Sequence, residues 1–254
     1  MIKKEKFIMS WKKCWKTILK TASIAVFAVL FYTACDDNGV KVITPEVRTF
    51  TDNRDGKTYK EVTIGEQRWM AENLRYEAEG SVCSNDLNYF GLMDSSHLAQ
   101  RCEEYGRLYN WTTVMNGASS TNAVPSGVEG VCPAGWHVPS DAEWTELTDF
   151  IGLNAGTKLK SRDWHDIDQP GTRPTVDGTN KYRFTALPGG HGSFADGKFD
   201  FYGMSHNGNW WSSTELWNDS TVAYIRTIYG TQTYVGRGTT NKARYFLSVR
   251  CVGD

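Results

Sequence analysis

GVCPAGWHVPSDAEWTEL, residues 130–147, holds within one stretch a cysteine, a Gly/Pro-rich turn and the start of a helix. Ser140-Asp141-Ala142-Glu143 follows Pro139 with the spacing of a capping box, in which the serine hydroxyl takes the backbone N–H three residues on and the glutamate reaches back. Asp141 suits the positive end of a helix. Trp144, Leu147 and Ile151 then recur on one face, and Gly152 stops the run. The stretch predicts a well-marked helix entered a few residues after Cys132.

Outward from it, one other segment reads as helical. Leu108, Trp111 and Met115 recur at helical spacing and Asn116-Gly117 ends them. The rest alternates in short bursts. Lys57–Ile64 puts Val62 and Ile64 on an apolar strand face, with Tyr59 near it, between turn signals at Asp55-Gly56 and Gly65. Tyr182–Ala186 alternates, Asn209–Ser213 follows a Gly-rich loop, Val222–Tyr229 is the strongest strand signal, and Phe246–Cys251 the last. Two helices, short antiparallel strands and long loops define a small α+β body over residues 50–254.

Residues 1–20 carry seven Lys against the single acid Glu5, and residues 21–34, TASIAVFAVLFYTA, are apolar and uncharged up to Cys35. A basic region, a short apolar run and a small residue at the cut make a secretory signal. The run is too short to span a bilayer, which takes about 20 apolar residues. Thr33-Ala34-Cys35 resembles the cut of a bacterial lipoprotein signal, which implies lipidation of Cys35, although Tyr32 stands where such signals usually have Leu. Either Met1 or Met9 serves as a start. Residues 36–49, with Gly39 and Pro45, read as a tether. Without those seven Lys and Glu5, the 28 basic and 29 acidic residues fall to 21 against 28, a net charge of −7. Such a surface repels phosphate backbones and argues against nucleic acid as a partner.

Beyond the leader and Cys35 stand Cys83, Cys102, Cys132 and Cys251, an even set in an exported chain, which reads as two disulfides. Three pairings are possible. Cys83 and Cys102 flank a polar, loop-like stretch suited to local closure, and Cys132 with Cys251 would then clamp the C-terminus to the middle of the domain. A zinc site is the competing reading, but there is no CxxC.

DNRDGKTYKEVTIGEQRWMAENLRY (52–76), EYGRLYNWTTVMNG (104–117), the 130–147 stretch, FTALPGGHG (184–192), NWWSSTE (209–215) and SVRCV (248–252) follow one another in order. Together they closely resemble the Fibrobacter succinogenes major paralogous domain, a family of exported bacterial domains. Phe246 replaces a usual Gly shortly before SVRC, and Trp164–Asn180 is longer and more polar than usual. The family is similar to the wider group of C-type lectin-like domains and formylglycine-generating enzymes. That similarity implies a compact, loop-rich, disulfide-braced fold with its terminal strands brought together.

Candidate chemistry is sparse. His137, Ser140 and Asp141 invite a hydrolase reading, but the capping box already accounts for Ser140. A copper-thiol oxidase needs free thiols, and the disulfides leave none. Trp217-Asn218-Asp219 spells a triplet that helps hold calcium in many C-type lectins. Its companion triplet is absent, and one triplet offers too few oxygens. Asp52–Gly56 lacks the register of a calcium loop and reads as a hairpin turn. Trp69, Trp111, Trp136 and Trp144 sit at core positions. Trp210 and Trp211 alternate on a strand, so that one of them, taken as Trp211, is open to a ligand. Trp164 and Trp217, in polar loops, are candidates for stacking on a sugar. The expectation is a lipoprotein of the outer membrane or cell surface, tied to the membrane by its lipid. Its domain is expected to be a non-catalytic binding module for polysaccharide or an envelope component, with no metal or cofactor. The alternative is a structural platform for an envelope protein.

Overall fold

The computed structural model describes residues 33–35, 41–43, 45–84, 95–164 and 176–254. Residues 1–32 of the signal read over 1–35 lie outside them, as do 36–40 and 44 of the tether. The chain divides into two units, Met1–Glu46 and Val47–Asp254. In the first, β1 (Thr33–Cys35) pairs antiparallel with β2 (Lys41–Ile43), setting Cys35 opposite Lys41. Among the described residues no helix is long and apolar enough to cross a membrane.

The second unit opens with an antiparallel meander of β3 (Val47–Thr51), β4 (Thr58–Ile64) and β5 (Gln67–Met70). Helix α1 (Ser95–Tyr105), β6 (Tyr109–Asn110) and helix α2 (Trp111–Met115) come next. They are followed by β7 (Trp136–His137), α3 (Asp141–Ile151) and α4 (Ala155–Leu159). The C-terminal part is all strand: β8 (Gly189–Ala195), β9 (Lys198–Met204), β10 (Asn207–Leu216), β11 (Asp219–Tyr229), β12 (Gly236–Asn241), β13 (Tyr245–Leu247) and β14 (Val252–Gly253). One sheet has the order β3-β4-β5-β14-β7, so the closing strand enters between two N-terminal ones. The other runs β12-β11-β10-β8-β13-β6, with β9 on β8. The body is α+β and rich in strand.

Two disulfides brace it. Cys83 pairs with Cys102, 19 residues on, and Cys132 with Cys251, 119 residues on. The second joins the loop before β7 to the residue preceding β14, while β14 hydrogen-bonds β7 directly, so sheet and covalent bond close the same seam.

The capping box of α3 forms as its sequence demands. The Ser140 hydroxyl accepts from the Glu143 N–H at 3.1 Å and Glu143 Oε2 from the Ser140 N–H at 2.8 Å. Such a cap contributes about 1 kcal/mol. The helical face of Trp144, Leu147 and Ile151 packs into a core with Trp69, Trp164, Phe184 and Trp210, and the Trp69 and Trp144 rings lie 4.6 Å apart. A second core gathers Tyr59, Met70, Tyr109, Trp111, Trp136, Trp211 and the Cys132–Cys251 bridge. Neighbouring residues part between the two: Trp69 from Met70, Trp210 from Trp211, Val252 from Cys251. These strands are covered on both faces, as period-two alternation through a buried sheet requires.

Four helices stand among the described residues where two were expected. α1, read from sequence as part of a loop, is polar and is held by the Cys102 disulfide. α4 spans a single short turn beyond the Gly152 stop. The helix read over Leu108–Met115 begins only at Trp111, because Asn110 caps it by accepting the Thr113 N–H at 2.8 Å; Leu108 bridges to Val82 instead. Tyr182–Ala186 is not a strand. Arg183 and Thr185 take left-handed backbone (φ 58° and 53°), which breaks the alternation and turns Phe184 inward.

Two buried cations hold the elements together. Arg250 is fully buried and donates to Asn73 Oδ1 (2.7 Å) and to the carbonyls of Phe184 and Thr185. Burial pushes its guanidinium down to about 9, against the opposing pull of Glu72. Arg226 on β11 and Arg237 on β12 both grip Asp141 at the start of α3. Burial alone would raise that carboxyl, but the two guanidinium groups outweigh it and hold it below the usual range.

Candidate functional site

The site builds up from Asn110. With its side-chain oxygen committed to the Thr113 N–H, α2 starts at Trp111 and its first turn lies at the surface beside the 76–80 loop. That loop is tied down from both sides. The buried Tyr109 hydroxyl donates to the Tyr76 carbonyl at 2.7 Å, and the Thr113 hydroxyl to the Glu79 carbonyl at 3.2 Å. The opposite wall is the 129–131 turn. Gly130 (φ 54°) lets it press on the helix: a Cβ there would fall 2.2 Å from the Val114 carbonyl, and the Val131 N–H donates to that same oxygen at 2.9 Å.

Between these walls lies a groove of about 730 Å³, within the range of small-molecule sites. Arg54 closes one end. Its guanidinium chelates Asp52, donates to the Val131 carbonyl at 2.9 Å, and lies 3.9 Å from the centre of the Tyr76 ring. Burial opposes the charge on both partners, but their mutual hydrogen bonds win, lowering the Asp52 pKa and raising that of Arg54. The Tyr76 ring is thereby held beneath the Arg54 guanidinium at the groove wall. Asn110, Asn116, Glu77 and Glu129 supply amide and carboxylate groups around it. Glu77 also accepts from Arg107 at 3.1 Å. One fixed aromatic ring among uncharged amides and single carboxylates suits a ligand rich in hydroxyls.

The sequence candidates fall elsewhere. Trp164 and Trp211 are 1% exposed and belong to the two cores, so neither offers a face to a sugar, contrary to expectation. Trp211 donates to the Tyr109 carbonyl at 2.7 Å, and its neighbour Trp210 to Asn73 at 2.8 Å. The expectation assumed a strand open on one side, whereas β10 is covered on both. Trp217 is 87% exposed, at the tip of the β10–β11 hairpin. Beside it the Asp219 carboxylate accepts from both the N–H (2.9 Å) and the hydroxyl (2.6 Å) of Thr221, so the Trp-Asn-Asp triplet forms a turn. Among the described residues no group of three or more His, Cys, Asp or Glu could hold a metal ion. His137, Ser140 and Asp141 do not assemble as a triad. His137 lies between Glu143 Oε1 (2.7 Å) and Asp254 Oδ1 (2.6 Å), Ser140 caps α3, and Asp141 holds two arginines. The groove escaped sequence reading because its walls come from three separate segments. The one local signal was the Asn110 cap at the start of the Trp111 run.

A family model described as Fibrobacter succinogenes major domain matches residues 62–253. No curated protein and no solved structure matches the chain.

Proposed function

The chain belongs to the Fibrobacter succinogenes major domain family, and from that footing we propose that it is an exported, lipid-anchored binding module. It acts without catalysis and takes a polysaccharide of the cell envelope or its surroundings in the Tyr76 groove. The observation that carries the reading is the groove itself: an aromatic ring fixed by Arg54 and bordered by Asn110, Asn116 and Glu129. Export is supported by the basic and apolar leader ending at Cys35, and by two disulfides, which persist in oxidising compartments. The acyl chain on Cys35 would place the module on a membrane, with the outer membrane or cell surface as its location. A distant likeness to C-type lectin-like domains draws support from β3 and β14 sharing one sheet and from the Cys132–Cys251 clamp, although the body has four described helices and is richer in strand than that likeness implies. The exposed Trp217 is a second stacking surface for an extended chain.

The test is retention on insoluble polysaccharides, compared between the native chain and Tyr76→Ala. Retention weakened about ten-fold by Tyr76→Ala, the loss of roughly 1.4 kcal/mol of stacking, is expected. Retention unchanged by that substitution would move the site elsewhere. A second reading, a protein–protein platform, draws on the β8–β9 hairpin. There Phe194 is 51% exposed beside the partly exposed Phe199 and Phe201. Co-purification of an envelope protein that Phe194→Ser abolishes, with no retention on any glycan, would favour it.

A further inference from the structure

The meander of β3, β4 and β5 has two ends with different chemistry. β3 runs antiparallel to β4, with Val47 opposite Val62 and Thr51 opposite Thr58. The chain therefore enters the body at Val47 beside the end of β4, about 11 Å from the Gly65-Glu66 turn that leads into β5. Arg54 lies in the β3–β4 turn at the opposite end. Tyr76 is held there too, because the Arg75 N–H donates to the Tyr59 hydroxyl at 3.0 Å and the Arg75 guanidinium to the Thr58 carbonyl at 2.8 Å, both at the start of β4. The seven residues of β4, about 20 Å, separate the Arg54 and Tyr76 side of the groove from the end where the tether joins.

The tether end carries apolar side chains that folding leaves uncovered. Gly65 (φ 63°) makes room for the Phe150 ring, which would stand 3.1 Å from a Cβ there. Phe150, in the last turn of α3, is still 57% exposed. The half-buried Tyr182 meets it edge-on at 6.2 Å and ties it to the core. Gly152 stops α3 at a φ of 69°, and the residue beyond such a stop commonly packs back on the last turn. Leu153 does not, and is 88% exposed. A phenylalanine and a leucine at one helix end thus forgo the burial that each would gain in an apolar phase. The charges that flank them nearly balance: Lys158, Lys181 and Arg183 against Glu66 and Asp149.

The tether decides which apolar phase meets this end. Val47 is twelve residues beyond Cys35, so even a fully extended chain keeps it within about 40 Å of an acylated cysteine. The bilayer holding that acyl group is thereby presented to the tether end at high effective concentration. We propose that Phe150 and Leu153 seat in the bilayer that carries the lipid of Cys35, turning the Arg54 and Tyr76 side of the groove away from the membrane. The docking rests on the reading of Cys35 as lipidated. It is driven by apolar area at the headgroup boundary, and the near-balanced charges leave anionic lipid little part in it.

The experiment takes the ¹⁵N-labelled chain as isolated from membranes, reads its intact mass, and places it in phosphatidylcholine nanodiscs containing a lipid with a nitroxide on its acyl chain. Amide broadening should concentrate at residues 65–66, 149–154 and 181–183 and spare 52–57 and 76–80. Leu153→Ser, at an exposed position, should lower the ratio of docked to undocked molecules about ten-fold. Phe150→Ser combined with Leu153→Ser should abolish the broadening while the acylated chain stays in the disc. Adding phosphatidylglycerol should change the broadening by less than about two-fold. An acylated chain without broadening at 149–154, broadening indifferent to Leu153→Ser, or broadening seen only with phosphatidylglycerol would overturn the docking alone. So would contact at 149–154 that grows with the number of chains per disc, which would assign the face to a second copy. An unmodified Cys35 would overturn the lipid reading and the docking with it.

Discussion

Replacing Cys132 and Cys251 together by Ala removes the bond that closes the seam between β7 and β14, and its cost follows from the length of chain it links. The two cysteines are 119 residues apart, against 19 for Cys83 and Cys102. Loop-closure entropy gives about 5 kcal/mol for the longer link and about 3 kcal/mol for the shorter. Cys132 and Cys251 are also fully buried, so losing their sulfurs opens a void next to Trp136 and adds to the cost. A domain of this size has roughly 5–15 kcal/mol in total, so the longer link holds a third or more of it. Urea unfolding followed by tryptophan fluorescence, on the native chain and the two double variants, measures both costs. With a slope near 2 kcal/mol per molar urea, the Cys132/Cys251 variant should lose about 2.5 M in midpoint and the Cys83/Cys102 variant about 1.5 M. Equal losses, or a larger one for the Cys83/Cys102 pair, would refute the claim that the long clamp holds the two ends of the domain.

Three further outcomes follow. His137 is pulled down by burial but raised on balance by hydrogen bonds to Glu143 and Asp254. Its stabilisation is therefore complete below the unfolded pKa near 6.5 and is lost as pH rises through the raised folded value; His137→Asn should remove that part of the pH dependence, and an unchanged slope would contradict the pairing. Lys160→Met leaves four carbonyls without their donor and should cost on the order of 3–5 kcal/mol, with amide exchange accelerated across residues 229–233; a loss below about 1 kcal/mol would show that the cage is not structural. Mass spectrometry of native protein should find residue 35 as an acylated N-terminal cysteine, and Cys35→Ala should release the protein from membranes; an unmodified N-terminus would remove the anchor from the account.

Local signals in the chain were readable, and signals assembled from distant segments were not. The Ser140–Glu143 box and the Trp144, Leu147, Ile151 stripe specify α3 within a dozen residues, and the helix forms there. The strands at Thr58–Ile64 and Asp219–Tyr229 likewise follow from their own alternation. The two disulfides adopt the one of three pairings that combines local closure with the long clamp. The polar α1 has few apolar residues to announce it and is tied to its disulfide, a tertiary restraint. Trp164 and Trp211 misled because polar neighbours in sequence say nothing of what packs from another segment. Trp164 is covered by the 229–231 loop and the Lys160 cage, and Trp211 by α2 and the Cys132–Cys251 core. The Tyr76 groove joins residues 52–80, 110–116 and 129–131, a juxtaposition that only the folded chain makes.

Amide chemical-shift mapping tests the proposed glycan site in the Tyr76 groove most directly. The labelled chain would be titrated with soluble oligosaccharides from a polysaccharide that retains it. Shifts should concentrate at residues 76–80, 110–116 and 129–131 and vanish in Tyr76→Ala. Shifts confined to the β8–β9 hairpin, or none at saturating ligand, would contradict it.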